Sequence, residues 1–143
     1  MKIAVIRVRG RRNLKPKISK TMELLRLNRV NHCVLVEDSP YMKGMFNLVK
    51  DYVTFGKVSE EMVIRLLTKR GKRGAKRLSE IMKPEEIAEA AKKIMAGAKV
   101  IEFSDPVFTL RPPSKGRRDI KRPYPVGDLG VRPDINPLLR KML

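Results

Sequence analysis

The fold of this chain is decided by residues 31–59, which read NHCVLVEDSPYMKGMFNLVKDYVTFGKVS. The apolar, β-branched run at 33–36 is typical of a strand that is buried on both faces. Ser39 and Pro40 predict a helix start, because the serine oxygen can accept an orphan N–H and proline has no N–H to lose. A second run of strand-forming residues follows at 52–55. The stretch therefore predicts a strand–helix–strand packing unit.

The neighbouring segments extend this unit into an alternating pattern. Residues 2–9 alternate as a strand does and residues 19–29 read as a helix, so the first 58 residues predict β-α-β-α-β, with helices covering a small sheet. The strand directions stay open, because a parallel β-α-β pairing also fits the pattern. Further helices are predicted at 59–70, 83–97 and 135–143, and short strands at 99–103 and 107–110.

These patterns divide the chain into three segments. The core is expected at 1–58, and a helical extension with short strands, packed on the core, at 59–110. The composition of 111–143 is basic and rich in Pro and Gly, which predicts an extended basic tail with a short terminal helix. We expect this tail to become ordered only against a partner.

The charge balance predicts a polyanionic partner. The 143 residues include 33 basic and 15 acidic ones, for a net charge of +18, and nucleic acid is the commonest partner for such a surplus. Cys33 sits in an apolar strand and His32 has no companion at ligand spacing, so we expect no disulfide, nucleophile, metal site or cofactor. No run approaches the roughly 20 apolar residues of a membrane span. We expect neither a membrane partner nor a small-molecule substrate.

The basic residues concentrate in three acid-poor stretches, near residues 7–20, 70–77 and 111–122. Because these stretches come from separated parts of the chain, they predict a broad phosphate contact at several points. Such contacts fix position and affinity but carry little sequence information, which suits recognition of a folded RNA by its shape. The predicted RNA-binding residues are Arg7, Arg9, Arg11, Arg12, Lys15, Lys17, Lys20, Lys43, Arg70, Lys72, Arg73, Lys76, Arg77, Arg111, Lys115, Arg117, Arg118, Lys121 and Arg122.

Other classes of protein fit the sequence less well. A helix-turn-helix or zinc-finger protein needs a base-reading helix or metal ligands, and an aromatic stacking sheet needs more than 5% aromatic residues. An enzyme needs clustered carboxylates or an activated nucleophile, and a membrane-surface protein needs a strongly amphipathic, Lys-rich helix. A general nucleic-acid-binding protein of the chromatin type is the alternative that stays open.

Several segments resemble a known family in their order and spacing. They are residues 3–10, 21–27, 34–38, 42–49 and 52–56, then Lys69-Arg70-Gly71, the LRPPSKG run at 110–116 and the ending GDLGVRPDINPLLRKML. Together they are similar to the large-ribosomal-subunit protein thirty family, whose eukaryotic members are called large-subunit protein seven. Three features resemble the archaeal members of this family. The chain extends beyond residue 58, starts directly on the first strand and has Phe55-Gly56 in place of Trp-Gly.

This resemblance carries expectations about fold and function. It implies an α+β fold with a small, three-stranded, largely antiparallel ferredoxin-like sheet and two helices on one face. It also implies a structural constituent of the large ribosomal subunit, bound to large-subunit ribosomal RNA and to neighbouring ribosomal proteins. Such a protein would reside on ribosomes in the cytoplasm.

Overall fold

The computed structural model describes residues 2–10, 14–97, 105–116, 121, 122, 124, 126, 127 and 129–143. The predicted strand at 99–103 lies outside these residues. The helices and strands of the described part are, in chain order, β1 (Lys2–Arg7), α1 (Pro16–Leu24), β2 (His32–Glu37), α2 (Pro40–Val49), β3 (Val53–Lys57), α3 (Glu60–Arg70), β4 (Lys72–Arg73), β5 (Lys76–Arg77), α4 (Leu78–Ile81), α5 (Pro84–Met95), β6 (Val107–Thr109), β7 (Gly130–Arg132) and α6 (Asn136–Met142).

A sheet with the strand order β6-β2-β1-β3-β7 forms the centre of the molecule. β1 pairs antiparallel with β2 and with β3, so that Val5 lies opposite Val34 on one side and Phe55 on the other. β2 and β3 are therefore parallel to each other but separated by β1. At the edges, β6 runs antiparallel to β2 and β7 runs parallel to β3. The α+β fold and its antiparallel three-stranded core are confirmed.

One face of the sheet is covered by α1 and α2. Ile3 and Val5 of β1 are buried against these helices. The rings of Phe46 in α2 and Phe55 in β3 stack with their centroids 4.5 Å apart. Two helices on one face are the arrangement that the family resemblance implies.

The opposite face of the sheet is covered by the later helices. Ala4 and Ile6, which alternate with the residues facing α1 and α2, are fully buried in a second core. Leu66 of α3, Ile94 of α5 and Leu139 of α6 belong to the same core. Because β1 is apolar on both sides, the sheet can be enclosed between two layers of helices.

Serine caps begin α2 and α3, as the sequence predicts. The hydroxyl oxygen of Ser39 accepts a hydrogen bond of 3.2 Å from the N–H of Met42. The hydroxyl of Ser59 accepts one of 3.3 Å from Met62. Each cap satisfies a donor that the first helical turn leaves without an intrahelical partner.

The first helix is displaced toward the N-terminus relative to its prediction at 19–29. It begins at Pro16, which needs no hydrogen-bond acceptor at the first helical position. It ends at Leu24, because Arg26 adopts a left-handed φ of 62° and the N–H of Leu27 donates to the carbonyl of Met22 at 2.9 Å. This is a Schellman motif in which arginine occupies the usual glycine position. Because no glycine marks this position, the sequence pattern predicts the helix end at residue 29 and not at Leu24.

The C-terminal segment adds β7 and α6 to the folded body. The Thr54 hydroxyl of β3 donates to the carbonyl of Gly130 at 3.1 Å, and Ile135 is fully buried next to Gly56. The predicted terminal helix at 135–143 is observed as α6. These contacts place residues from opposite ends of the sequence in one core.

Candidate nucleic-acid interface

The first basic cluster surrounds the start of α1. Half-buried Arg9 has its guanidinium carbon 5.1 Å from the ring centroid of Tyr52. Such cation–π stacking orients the arginine near the end of β1. The exposed cations of this cluster are Lys15, Lys17 and Lys20. The predicted contacts that lie outside the described residues are Arg11 and Arg12 here, and Arg117 and Arg118 in the third cluster.

The burial of Arg7 corrects the prediction that this residue contacts phosphate. This residue is only 2% exposed, and its guanidinium donates to the carbonyl oxygens of Leu27 at 2.6 Å and Arg9 at 2.9 Å. A buried cation needs acceptors inside the protein, and here backbone carbonyls supply them. Arg7 therefore ties β1 to the segment after α1, and we remove it from the predicted RNA contacts.

The second basic cluster is a short hairpin formed by β4 and β5. Lys72 pairs with Arg77 and Arg73 with Lys76, and all four residues are exposed. The connecting turn has Gly74 at its first position with a φ of 65°, as a two-residue type II′ turn requires. The hairpin projects its four cations because its strands are too short to bury a face.

The second and third clusters meet in an open groove of about 420 Å³. Arg70 at the end of α3, Arg77 of β5 and Arg111 after β6 line this groove. Burial, and then the positive charges of Arg111 and Arg77, lower the pKa of Arg70. The guanidinium of Arg111 also donates to the backbone oxygen of Leu143. The sequence places these arginines in two separate clusters, whereas the fold brings them together.

The remainder of the third cluster is exposed where the structure describes it. Lys115 has a left-handed φ of 66° and precedes Gly116 in the turn that follows Pro113. The other exposed cations of this cluster are Lys121 and Arg122.

Lys43, another predicted contact, has an acidic neighbour. Its amino nitrogen lies 3.9 Å from a carboxylate oxygen of Asp38, while its side chain is 68% exposed. Lys57 and Arg132 line the same groove as Lys43. The sequence did not single out these two cations, since each is isolated in the chain. Only the pairing of β3 with β7 brings them together.

The structure offers no nucleophile at the position of the single cysteine. Cys33 is fully buried, and this burial raises the pKa of its thiol to about 12. Within the described residues, no three or more His, Cys, Asp or Glu side chains group as metal ligands would. In the same part of the chain, no helix combines the length and the apolar character needed to cross a membrane.

Comparison with known proteins identifies the family of this chain. A sequence profile described as ribosomal protein L30p/L7e matches residues 3–53. The large ribosomal subunit protein uL30 of Methanococcus maripaludis strain S2 is 43% identical over 154 aligned positions, covering 100% of both chains. The chain belongs to the uL30 family. The uL30 proteins of Methanothrix thermoacetophila and Archaeoglobus fulgidus are 43% and 42% identical, each covering 97% of this chain and 98% of the relative.

Membership of the uL30 family confirms the resemblance seen in the sequence. The profile match covers most of β1, all of α1, β2 and α2, and ends at the first residue of β3. Since uL30 is a family of structural ribosomal proteins, the prediction that this member is not an enzyme is also confirmed. The relatives named above are archaeal, in agreement with the similarity to the archaeal form.

Proposed function

We propose that this uL30 family member is a structural constituent of the large ribosomal subunit and binds large-subunit ribosomal RNA through several separate basic surfaces. The observation that carries the proposal is the exposure of cations from three distant chain segments on one folded body. The full-length similarity to proteins named large ribosomal subunit protein uL30 supports the same function.

The proposed mechanism is scaffold binding. Exposed lysines and arginines contact phosphates and so fix the protein on the shape of the RNA, without reading bases. The proposed contacts within the described residues are Arg9, Lys15, Lys17, Lys20, Lys43, Arg70, Lys72, Arg73, Lys76, Arg77, Arg111, Lys115, Lys121 and Arg122. Neighbouring ribosomal proteins are the further partners, and the cytoplasmic ribosome is the location.

Sedimentation of a tagged copy from an archaeal lysate tests the ribosomal function. We expect the protein to comigrate with large subunits and to stay bound through a moderate-salt wash, because several phosphate contacts must break together for release. Recovery at the top of the gradient, or with free ribosomal proteins only, would contradict the proposal.

A competition experiment separates the ribosomal function from the chromatin-type alternative. Labelled large-subunit RNA bound to the protein is challenged with unlabelled RNA or with duplex DNA at equal phosphate concentration. We expect RNA to compete at a much lower concentration, since a surface shaped for folded RNA does not match a regular duplex. Equal competition by duplex DNA would favour the chromatin-type function instead.

A further inference from the structure

The groove between the second and third basic clusters has the composition of an anion site. Its arginines come from three different elements: Arg70 from the end of α3, Arg77 from β5 and Arg111 from the segment after β6. It is also lined by Lys69, by the hydroxyl-bearing residues Thr68 and Ser79, and by Leu143. The lining thus combines cationic and hydroxyl side chains and contains no Asp or Glu side chain.

In the described part of the chain, Arg70, Arg77 and Arg111 form no ion pair with an Asp or Glu side chain. Arg111 does donate to the backbone oxygen of Leu143, which leaves Arg70 and Arg77 as the arginines without an internal acceptor of this kind among the described residues. Elsewhere on α3, Arg65 has a carboxylate partner, 3.3 Å away at Glu61. Burial first, and then the positive charges of Arg111 and Arg77, lower the pKa of Arg70, in keeping with repulsion between guanidinium groups that lie close together. An anion bound there would remove this repulsion.

The fold fixes the backbone segments that carry these side chains. Gly71, which follows Arg70, is packed so closely that an added Cβ would clash with the carbonyl oxygen of Leu67. The Leu78 N–H donates to the Gly71 carbonyl at 3.0 Å and so fixes the hairpin against the end of α3. The groove therefore lies between backbone segments with a fixed relative position.

We propose that this groove binds one phosphate group of the ribosomal RNA backbone between Arg70, Arg77 and Arg111, an inference that rests on the proposed RNA-binding function. Arginine is suited to this task because its planar guanidinium can donate two parallel hydrogen bonds to phosphate oxygens. The bound phosphate joins the hairpin to the segment after β6. The second and third clusters then act as one attachment point.

Arg77→Gln is the variant that tests the site, and Arg65→Gln is its matched control. Arg77 is exposed and makes no side-chain hydrogen bond or ion pair among the described residues, so its replacement should leave the fold intact. Arg65 is also exposed. Its replacement by Gln removes the same charge, but at an ion-paired position on α3 outside the groove.

The first measurement is thermal unfolding in inorganic phosphate or in chloride at equal ionic strength. In wild type and in Arg65→Gln, we expect phosphate at ten times its dissociation constant to raise Tm by about 5 °C relative to chloride. In Arg77→Gln this rise should fall to less than half, while Tm in chloride should be unchanged or higher because a repulsion is removed. An equal phosphate effect in all three proteins, or none in wild type, would overturn the site.

The second measurement is the salt dependence of binding to large-subunit RNA. We expect Arg77→Gln to reduce the log–log slope by up to about 0.7 to 0.9, the contribution of one neutralised phosphate on a single strand or a duplex, and Arg65→Gln to leave it unchanged. A steep wild-type slope that Arg77→Gln does not alter would reject the groove site but leave the proposed function intact. A wild-type protein that fails to bind the RNA would reject the proposed function, whatever inorganic phosphate does to Tm.

Discussion

Two arginines near the end of β1 have different environments. Arg7 and Arg9 are two residues apart and similar in sequence context, yet Arg7 is buried against backbone carbonyls while Arg9 stacks on Tyr52 at the surface. The difference arises because Arg7 is the last residue of β1, where the segment after α1 covers it. Charge alone therefore does not identify an RNA contact.

Arg7→Gln separates an internal role from a role in RNA binding. We expect it to lower the free energy of unfolding by about 2 kcal/mol, because the shorter amide cannot satisfy both buried carbonyls that the guanidinium now reaches. The salt slope of RNA binding should not change. Urea denaturation and the binding titration measure the two effects.

Lys17→Gln provides the contrast to Arg7→Gln, since Lys17 is exposed on α1. It should leave the urea midpoint unchanged and reduce the salt slope. If Arg7→Gln were instead the variant with the lower slope and normal stability, the buried assignment of Arg7 would be wrong.

At the scale of elements, two glycines have opposite structural requirements. Gly71 ends α3, and an added Cβ would lie 2.4 Å from the Leu67 carbonyl oxygen and 2.7 Å from a methyl carbon of Leu78. Gly44 lies inside α2, where an added Cβ would meet no atom within 4 Å. The connection from α3 to the hairpin therefore needs glycine for close packing, and α2 does not need it.

The same substitution at these two positions should have opposite effects. We expect Gly71→Ala to destabilise the protein by more than about 2 kcal/mol, because the backbone of α3 cannot move away from the new methyl group. Gly44→Ala should stabilise it by about 0.7 kcal/mol through a lower entropy cost of helix formation. Chemical denaturation of both variants measures the difference, and a change of the same sign in both would contradict the packing at Gly71.

At the scale of the whole molecule, the C-terminal residues complete a core that begins at the N-terminus. Ile135 is fully buried in the same core as Ala4 and Ile6, and β7 pairs with β3 next to it. Helices on both faces of the sheet leave the basic clusters at the surface, where they keep their hydration until RNA binds. Stability and RNA binding therefore depend on different parts of the molecule.

Ile135→Ala tests whether the C-terminal segment is part of this body. We expect a loss of about 3 kcal/mol in the free energy of unfolding, as for other large-to-small changes in packed cores. Val131→Ala, on the exposed side of β7, is the control and should change stability by less than about 0.5 kcal/mol. An Ile135→Ala variant as stable as the control would show that the segment is not packed on the sheet in solution.

Local sequence patterns are sufficient to predict the alternation of strands and helices, the serine caps of α2 and α3, and the location of the basic stretches. Each of these depends on periodicity or on residues within one helical turn, which are local properties of the chain. The sequence pattern does not predict the observed end of α1, because arginine, and not glycine, holds the left-handed position there. This determinant is also local, but arginine is an unusual residue at that position.

Long-range packing determines which cations face outward and which of them lie close together. The burial of Arg7 depends on the segment after α1, and the groove depends on the packing of Arg111 near Arg70 and Arg77. Long-range packing also determines the antiparallel pairing of β1 with its two neighbours. These features arise from contacts between residues far apart in the chain, and the charge or hydropathy of a short stretch carries no information about its distant neighbours.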